Sequence, residues 1–367
     1  MTDPAPRDAA RRQNAEPWGE CWRHEPFSAP RREAPLVTWN DASQKGEKPA
    51  FCAPSQCSAV ATPGLTSDSG VRQAPFSAAC ALGVFDGFHR GHQCLLSELK
   101  ADAAAAGVPA WVITFDRDPD ELFVGEGRLN KLMTDADRLR HLARSGVDGV
   151  FVVPFGKELA NMAPDCFCDT VLASLIAPHS IHVGTGFRYG AQAAGTTASL
   201  ASWVKARGGR LCEHHLFDED GEPVSATRIR SELRRGHVAD AARLLTRPFY
   251  LRGTVVAGRG AGTALGIPTA NLRPDLSPSV LSEGVYAAYV FLDNRCLRAA
   301  VSVGAPTTFG INEPAIEPHL LDFDEDIYGK EVVISFVSFL RPMRTFKDAT
   351  ELQRVVSANI AWVRENL

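Results

Sequence analysis

Ala81-Leu82-Gly83-Val84-Phe85-Asp86-Gly87-Phe88-His89-Arg90-Gly91-His92-Gln93 is a short apolar run that breaks into a glycine-punctuated turn with two histidines three residues apart. Residues 79–84 suit a buried strand, and residues 93–100 read as a helix with Leu95, Leu96 and Leu99 along one side. Gly87 and Gly91 let the backbone approach a ligand closely. A helix starting beside glycines is a natural anion site, because its first N–H groups and its dipole both favour negative charge. Two imidazoles there can donate hydrogen bonds to phosphate oxygens as charge develops in a phosphoryl-type transition state. Taken alone, the pattern fits equally a turn with two structural histidines, so the neighbouring segments must decide.

Residues 79–245 alternate short β-branched runs with longer helical patterns, which predicts a Rossmann-like α/β domain with a parallel sheet and crossover helices. Strands are expected over 108–115, 149–153 and 180–183, and helices over 135–145 and 164–177. Ligands sit beyond the carboxyl ends of the strands in such sheets, so the loops 83–92, 115–120 and 184–190 are candidate sites. After Pro248 the pattern changes to close-set strands at 251–256, 284–292, 299–303 and 331–337, with Asp293-Asn294 as a hairpin turn. No crossover helices separate them, so an antiparallel β-barrel ended by an amphipathic helix over 348–364 is expected. The predicted domains are therefore 77–246 and 247–367. Residues 1–76, rich in Pro, Ser, Ala, Arg and Gln, read as a disordered or loosely docked extension in which Trp18, Trp22, Trp39 or Phe51 could anchor a short segment.

The chain has 367 residues, 45% of them hydrophobic, and a net charge of −4. There is no global basic field to recruit nucleic acid, so phosphate recognition must come from local arginines. No run of eighteen apolar residues and no signal-peptide pattern is visible, so a cytoplasmic protein without membrane partners is expected. Nine scattered cysteines with no paired metal-ligand spacing are expected to be reduced thiols rather than a structural metal site. In 224–230, Ser225 or Thr227 can cap a helix whose first turn presents Arg228 and Arg230 to phosphate. In 258–271 a glycine-rich loop runs into Pro268-Thr269-Ala270-Asn271, where glycine N–H groups can wrap phosphates and Thr269 and Asn271 offer hard oxygen ligands for Mg²⁺.

Gly83-Val84-Phe85-Asp86-Gly87-Phe88-His89-Arg90-Gly91-His92 resembles the signature of the nucleotidyltransferase superfamily, in the version carried by bacterial bifunctional FAD synthetases (riboflavin kinase/FMN adenylyltransferase). Phe115-Asp116-Arg117-Asp118-Pro119, Gly184-Thr185-Gly186-Phe187-Arg188-Tyr189-Gly190 and Val224-Ser225-Ala226-Thr227-Arg228-Ile229-Arg230 fall in that family's motif order. So do Leu265-Gly266-Ile267-Pro268-Thr269-Ala270-Asn271 and Ala315-Ile316-Glu317-Pro318-His319-Leu320-Leu321-Asp322-Phe323. The resemblance spans about residues 79–365 and implies two activities, phosphorylation of riboflavin to FMN with ATP and Mg²⁺, and adenylylation of FMN to FAD with release of pyrophosphate. It implies ATP contacts of the adenylyltransferase from Gly83, Phe85, Asp86, Gly87, His89, His92, Ser225, Thr227, Arg228 and Arg230, with His89 and His92 catalytic. Flavin contacts there would come from Asp116, Gly184, Phe187 and Tyr189. For the kinase it implies ATP contacts from Gly258, Gly260, Gly262, Gly266, Pro268, Thr269 and Asn271, with Thr269 and Asn271 on the metal. Glu317 would be the base that takes the proton from the attacking alcohol. Arg117, Asp118, Gly186, Ala226, Ala261, Thr263, Ser302 and Pro306 depart from the family pattern. Those departures leave open a riboflavin kinase with weakened adenylylation, or a flavin- or nucleotide-binding protein without turnover.

Overall fold

The computed structural model describes residues 33–38, 75–124, 129–215, 217–257, 267–304 and 315–367. Of the expected site residues, Gly258, Gly260, Gly262 and Gly266 lie outside this set, as do the departures Ala261, Thr263 and Pro306 and the four aromatic anchors of the extension. The chain divides into two compact units, one of Arg31–Leu129 with Thr134–Ser225, the other containing Asn130–Met133 and Ala226–Leu367. The grouping changes at 225/226, whereas the change of sequence pattern lies near 246.

In the first unit, strands β1 (Leu36–Thr38), β2 (Phe76–Leu82), β3 (Ala110–Phe115), β4 (Gly149–Val153), β5 (Ile176–Gly184) and β6 (Arg210–His214) form one sheet in the order β1-β4-β3-β2-β5-β6. Every pairing is parallel. From β2 the chain moves outward through β3 and β4, then returns to the other side of β2 as β5. The loops after β2 and β5 therefore leave from the switch point of the sheet, where such folds hold ligands. Strand β1 lies inside the stretch read as an extension. Val37 is buried in the core cluster, and Val150 N–H donates to Pro35 O at 2.9 Å, so this short apolar piece extends the sheet edge. The core itself is built from Trp111 stacked on Phe151 at 4.3 Å, with Leu82, Ile113, Val153 and Ile181 around them.

Helix α1 runs Arg90–Ala106, beyond the expected 93–100 at both ends; it continues past 100 because Ala103 to Ala106 carry high helix propensity, and Gly107 closes it at φ 67°. Helix α2 (Asp135–Ala143) starts at its cap Thr134, whose hydroxyl accepts from Asp137 N–H. The helix expected over 164–177 is broken instead. Pro164–Cys166 passes into a wider turn, Phe167–Leu172, then Ala173–Leu175, and β5 begins at Ile176. The strand includes Pro178, beside which the register against β2 shifts. Helix α3 (Thr197–Lys205) is set by a capping box at Thr196 and Ser199. A two-residue ribbon, β7 (Asp218–Glu219) with β8 (Glu222–Pro223), completes the unit.

In the second unit, β9 (Phe249–Val256), β10 (Asn271–Pro274), β11 (Gly284–Leu292), β12 (Arg295–Gly304), β13 (Ala315–Leu320) and β14 (Glu331–Pro342) close an antiparallel barrel in the order β10-β13-β12-β11-β14-β9. Strand β11 is buried along its whole length, with Ala287 packed in one cluster with Ala300, Leu321 and Val363. The expected hairpin turn is present, with Asp293 at φ 53°. Helices α4 (Ala226–Arg234) and α5 (Val238–Leu245) belong to this unit, where Gly236 sits so close to Phe339 that a Cβ would lie 2.9 Å from its ring. Helix α6 (Ala349–Asn366) is capped by Asp348, and its Val363 joins Ala287, Ala300 and Leu321 in a buried cluster.

One side chain ties the strand ends of the first unit together. Arg138 of α2 is 2% exposed, yet each terminal nitrogen of its guanidinium has two acceptors. Its Nη1 donates to Val84 O (3.1 Å) and Thr114 Oγ1 (2.9 Å), and its Nη2 donates to Phe115 O (2.7 Å) and Asp135 Oδ1 (3.0 Å). Replacing Arg138 by Met keeps the length but leaves two carbonyls and a hydroxyl without their donor, at about 1–3 kcal/mol for each buried group stranded. Urea unfolding of Arg138→Met should therefore show a loss of about 3 kcal/mol or more; an unchanged midpoint would contradict the bracing role.

Candidate active sites

The turn after β2 is held in a shape that few side chains adopt freely. Phe85 has φ 65° and Phe88 φ 40°, both left-handed, with Gly87 between them at φ 72°. Such conformations in bulky residues cost of order 1–3 kcal/mol each and persist only where surroundings enforce them. Here Phe85 is buried against Gly83, Phe88 stacks on His141 of α2 at 5.5 Å, and Arg138 grips Val84 O. The chain then enters α1 with His89 at the N-cap and no side chain capping the helix. The first N–H groups of α1 are therefore left to the solvent side or a ligand.

His89 and His92 stack face to face, ring centres 3.7 Å apart and planes 18° from parallel, and Phe85 meets His92 edge-on at 5.2 Å. Gly91 makes this possible, because a Cβ there would lie 3.2 Å from the His89 ring. Nδ1 of His92 is buried with no hydrogen-bond partner among the described residues. Burial, and then repulsion from His89, hold its pKa well below the ordinary imidazole value of 6.5. At neutral pH the ring is thus a neutral hydrogen-bonding group rather than a cation.

The other two loops after strands are built differently. Asp116 Oδ1 accepts from Phe155 N–H at 2.7 Å, so the carboxylate brackets the end of β4, and Arg117 lies 3.8 Å from the same oxygen. Asp118 closes its own turn by accepting from Asp120 N–H. In the loop after β5, Gly186 has φ 74° and its N–H donates to Glu213, which suits a residue without a side chain. Phe187 stacks over Tyr189 at 6.0 Å. Tyr189 itself is buried, its hydroxyl 3.0 Å from Ser199 Oγ and its phenol pushed up to about 12 by burial first of all. It supports the loop from below. Gly184 marks the end of β5 beside this loop. Both this loop and the turn at Gly83–His92 leave the sheet at the switch point.

The β7–β8 ribbon packs against the start of α1, where Arg90 pairs with Glu219 at 3.0 Å and lies over Phe217. Val224 O lies 3.4 Å from where a Cβ on Gly91 would stand, so the segment leading to Ser225 runs alongside the histidine turn. Ser225 directly precedes α4, Thr227 is exposed in its first turn, and Arg228 and Arg230 follow there. The sequence reading missed Arg138 and Thr114, because an arginine after an acidic first turn carries no local sign of burial.

In the barrel, Pro268, Thr269 and Ala270 line a cleft of about 360 Å³ together with Pro318, Leu320 and the acidic turn 323–328. That turn is pinned by Arg295, which grips Glu325 through both nitrogens at 2.6 and 3.0 Å and keeps its carboxyl below the ordinary value. Asn271 opens β10 next to Thr269, half-buried, paired in register with Val256. Glu317 is half-buried on β13 opposite Ser302. By strand alternation it faces away from Pro318 and Leu320, so it does not line this cleft. His319, on the same face as Glu317, hydrogen-bonds Pro268 O at 2.8 Å and so links β13 to the Pro-Thr-Ala-Asn segment.

Residues 72–228 match the family model described as FAD synthetase, and residues 245–367 match the one described as Riboflavin kinase. The bifunctional riboflavin kinase/FMN adenylyltransferase of Escherichia coli K12 is 33% identical over 288 residues, 77% of this chain and 91% of that protein. Its counterpart in Listeria monocytogenes is 31% identical over 271 residues, 72% and 85% of the two chains. A crystal structure from Streptococcus pneumoniae, described as a macrolide-efflux protein, superposes with a TM-score of 0.68 at 28% identity, covering 79% of this chain and 95% of that one. Among the described residues no helix is long and apolar enough to cross a membrane. Two adjacent family matches, in the order of the two units and extended by full-length relatives, show that the chain belongs to the bifunctional riboflavin kinase/FMN adenylyltransferase family.

Proposed function

We propose that the two reactions of the family are carried by separate sets of residues, and that the stacked His89–His92 pair at the start of α1 serves the adenylylation. The observation that carries this is the position of that pair, on the loop leaving the switch point of the sheet, beside uncapped helix N–H groups. The FMN phosphate is the nucleophile, already ionised near neutral pH, so the reaction needs no strong base. Its oxygen forms the bond to the α-phosphorus of ATP, the bond from that phosphorus to the bridging oxygen breaks, and pyrophosphate leaves with the electron pair. His89, His92, the first N–H groups of α1 and Ser225 would hold the phosphates and take up the developing charge, and Thr227, Arg228 and Arg230 would offer phosphate contacts from the start of α4. Gly83, Phe85, Asp86 and Gly87 shape the turn that carries the histidines. Flavin would rest against Gly184 and Phe187, with Tyr189 beneath them and Asp116 fixing the adjacent loop.

For the kinase we assign Glu317 as the base for the ribityl 5′-hydroxyl, whose oxygen attacks the γ-phosphorus as ADP leaves. Thr269 and Asn271, two residues apart in the segment that His319 on Glu317's face of β13 hydrogen-bonds through Pro268 O, present hydroxyl and amide oxygens of the kind Mg²⁺ prefers. Mg²⁺ bound there would neutralise charge on the transferring phosphates. Pro268 and the glycines at 258, 260, 262 and 266 complete the proposed ATP loop. A cytoplasmic setting supplies both substrates and keeps the cysteines reduced.

Glu317→Gln should nearly abolish FMN formation from riboflavin while FAD formation from supplied FMN persists; loss of both in a folded variant would overturn the assignment. His92→Ala should lower adenylylation by roughly a hundredfold, the scale of losing a preorganised donor, while the kinase rate stays at the parent value. An unchanged FAD rate would make the histidine a structural turn residue. The depressed pKa of His92 also fixes a sign. Its contribution to stability is present above about 6.5, the unfolded value, and is lost as pH falls toward the lower folded value, because the unfolded ring takes a proton that the folded one refuses. Thermal unfolding from pH 7.5 to 5 should show this decline and His92→Asn should reduce it; identical slopes would rule out His92 as its source.

A further inference from the structure

On the far side of β5 from β2, three elements of the first unit converge on a second constellation. Ser180 and His182 of β5 stand opposite Arg210 and Cys212 of β6, and α1 covers them with Glu98 and Asp102. One ligand atom each of Asp102, His182 and Cys212 lie within 4.8 Å of one another. They are contributed by residues 80 and 30 positions apart in the chain, which is why counting cysteine spacings does not find them. The three offer a carboxylate oxygen, an imidazole nitrogen and a thiol sulfur, a mixed donor set suited to a borderline metal such as Zn²⁺.

The hydrogen bonds around His182 carry a second argument. Four groups form a row: Asp102 Oδ2 is 3.0 Å from His182 Nε2, His182 Nδ1 is 2.8 Å from His214 Nε2, and His214 Nδ1 is 2.7 Å from Glu98 Oε2. Each of these three contacts needs one hydrogen to be attractive. The ionised carboxylates bring none and the two neutral imidazoles bring one each. Two protons serve three contacts, the outermost of them to a Glu98 side chain that is 66% exposed, and Ser180 Oγ stands 3.2 Å from His182 Nε2 at the innermost. A metal ion and an added proton are the two candidate occupants of the Asp102–His182 junction, which lies beside a His182 that is 2% exposed. A metal at the Asp102–His182 junction lets His182 Nδ1–H donate to His214, and His214 Nδ1–H donate to Glu98. That is the outer-shell arrangement metal-bound histidines use. Around the same junction, Ser180 Oγ donates to Asp102 Oδ2 at 2.6 Å and Arg210 pairs with the other carboxylate oxygen. With carboxylate and thiolate as ligands the ion's charge is balanced.

We propose that Asp102, His182 and Cys212 form a binding site for a divalent zinc-type metal ion that clips α1, β5 and β6 together. The site is structural. Its strands lead straight into the loop at 184–190, where Thr185 donates to His214 O through both its N–H (2.8 Å) and its hydroxyl (2.9 Å). The clip therefore steadies that loop from beneath without touching a reacting group, and it is independent of the assignments made for either reaction.

The test uses untagged full-length protein, stripped with a chelator and titrated with Co²⁺ as a spectroscopic probe. The site predicts one equivalent of Co²⁺ bound with a sulfur-to-cobalt charge-transfer band in the near ultraviolet, displaced by one equivalent of Zn²⁺. Cys212→Ser, a shape-conserving change at a half-exposed position, should abolish the band. Cys296→Ser, at an exposed thiol elsewhere, should leave it intact. Zn²⁺ should also raise the unfolding temperature of the parent and not of Cys212→Ser. No sulfur-to-cobalt band in the parent, or a band that survives in Cys212→Ser, would overturn the proposal and leave an added proton in the His182–His214 pair.

Discussion

A buried guanidinium sets the geometry of the adenylyltransferase unit. Arg138 joins Val84 and Phe115, at the carboxyl ends of two adjacent parallel strands, to Thr114 between them and to Asp135 on its own helix. Burying an unpaired charge costs several kcal/mol, so the residue is tolerated only because four acceptors surround it. Those acceptors are what a parallel sheet leaves over, since the carbonyls at its upper edge have no further strand to pair with. By occupying them, Arg138 fixes where the chain leaves β2, and the left-handed residues Phe85, Gly87 and Phe88 follow from that exit. The same exit delivers His89 and His92 to the start of α1 already stacked.

The two units place different demands on their residues. Adenylylation of an ionised phosphate asks for position and charge stabilisation, the role proposed here for the uncapped helix start and the stacked imidazoles. Phosphorylation of an alcohol asks for a proton acceptor as well. Glu317, the base proposed above, stands on a strand paired on both sides, so its carboxylate is carried by the ladder rather than by a loop. The strain at Phe85 and Phe88 and the regular register around Glu317 are thus two ways of placing one functional group.

Much of this was legible in the sequence. β4 and β11 fall on their expected residues because each is an unbroken apolar run with clear flanks, and α6 starts beside the expected Asp348 because its period is long. β6 is not legible, since Arg-Leu-Cys-Glu-His shows no apolar alternation and this edge strand gives the core only Leu211, with Arg210 exposed in a salt bridge. β1 was missed because three residues carry no period. The helix over 164–177 was read as one piece, while Pro164 and a wider turn at 167–172 divide it. At the sites the pattern is similar: glycine and histidine spacing announced the turn at 83–92, whereas Arg138, Asp102 and His182 act through partners remote in sequence. Tyr189 and Asp116 show the converse, residues read as ligand contacts that the fold also uses for its own support.

The account rests on one chain carrying both chemistries at separate sites. The most direct measurement is a time course with purified full-length protein, riboflavin, ATP and Mg²⁺, with flavins separated chromatographically and pyrophosphate quantified. The account predicts that FMN rises first, that FAD follows at its expense, and that pyrophosphate matches FAD mole for mole. FMN accumulating without FAD or pyrophosphate, or riboflavin remaining unchanged, would contradict it.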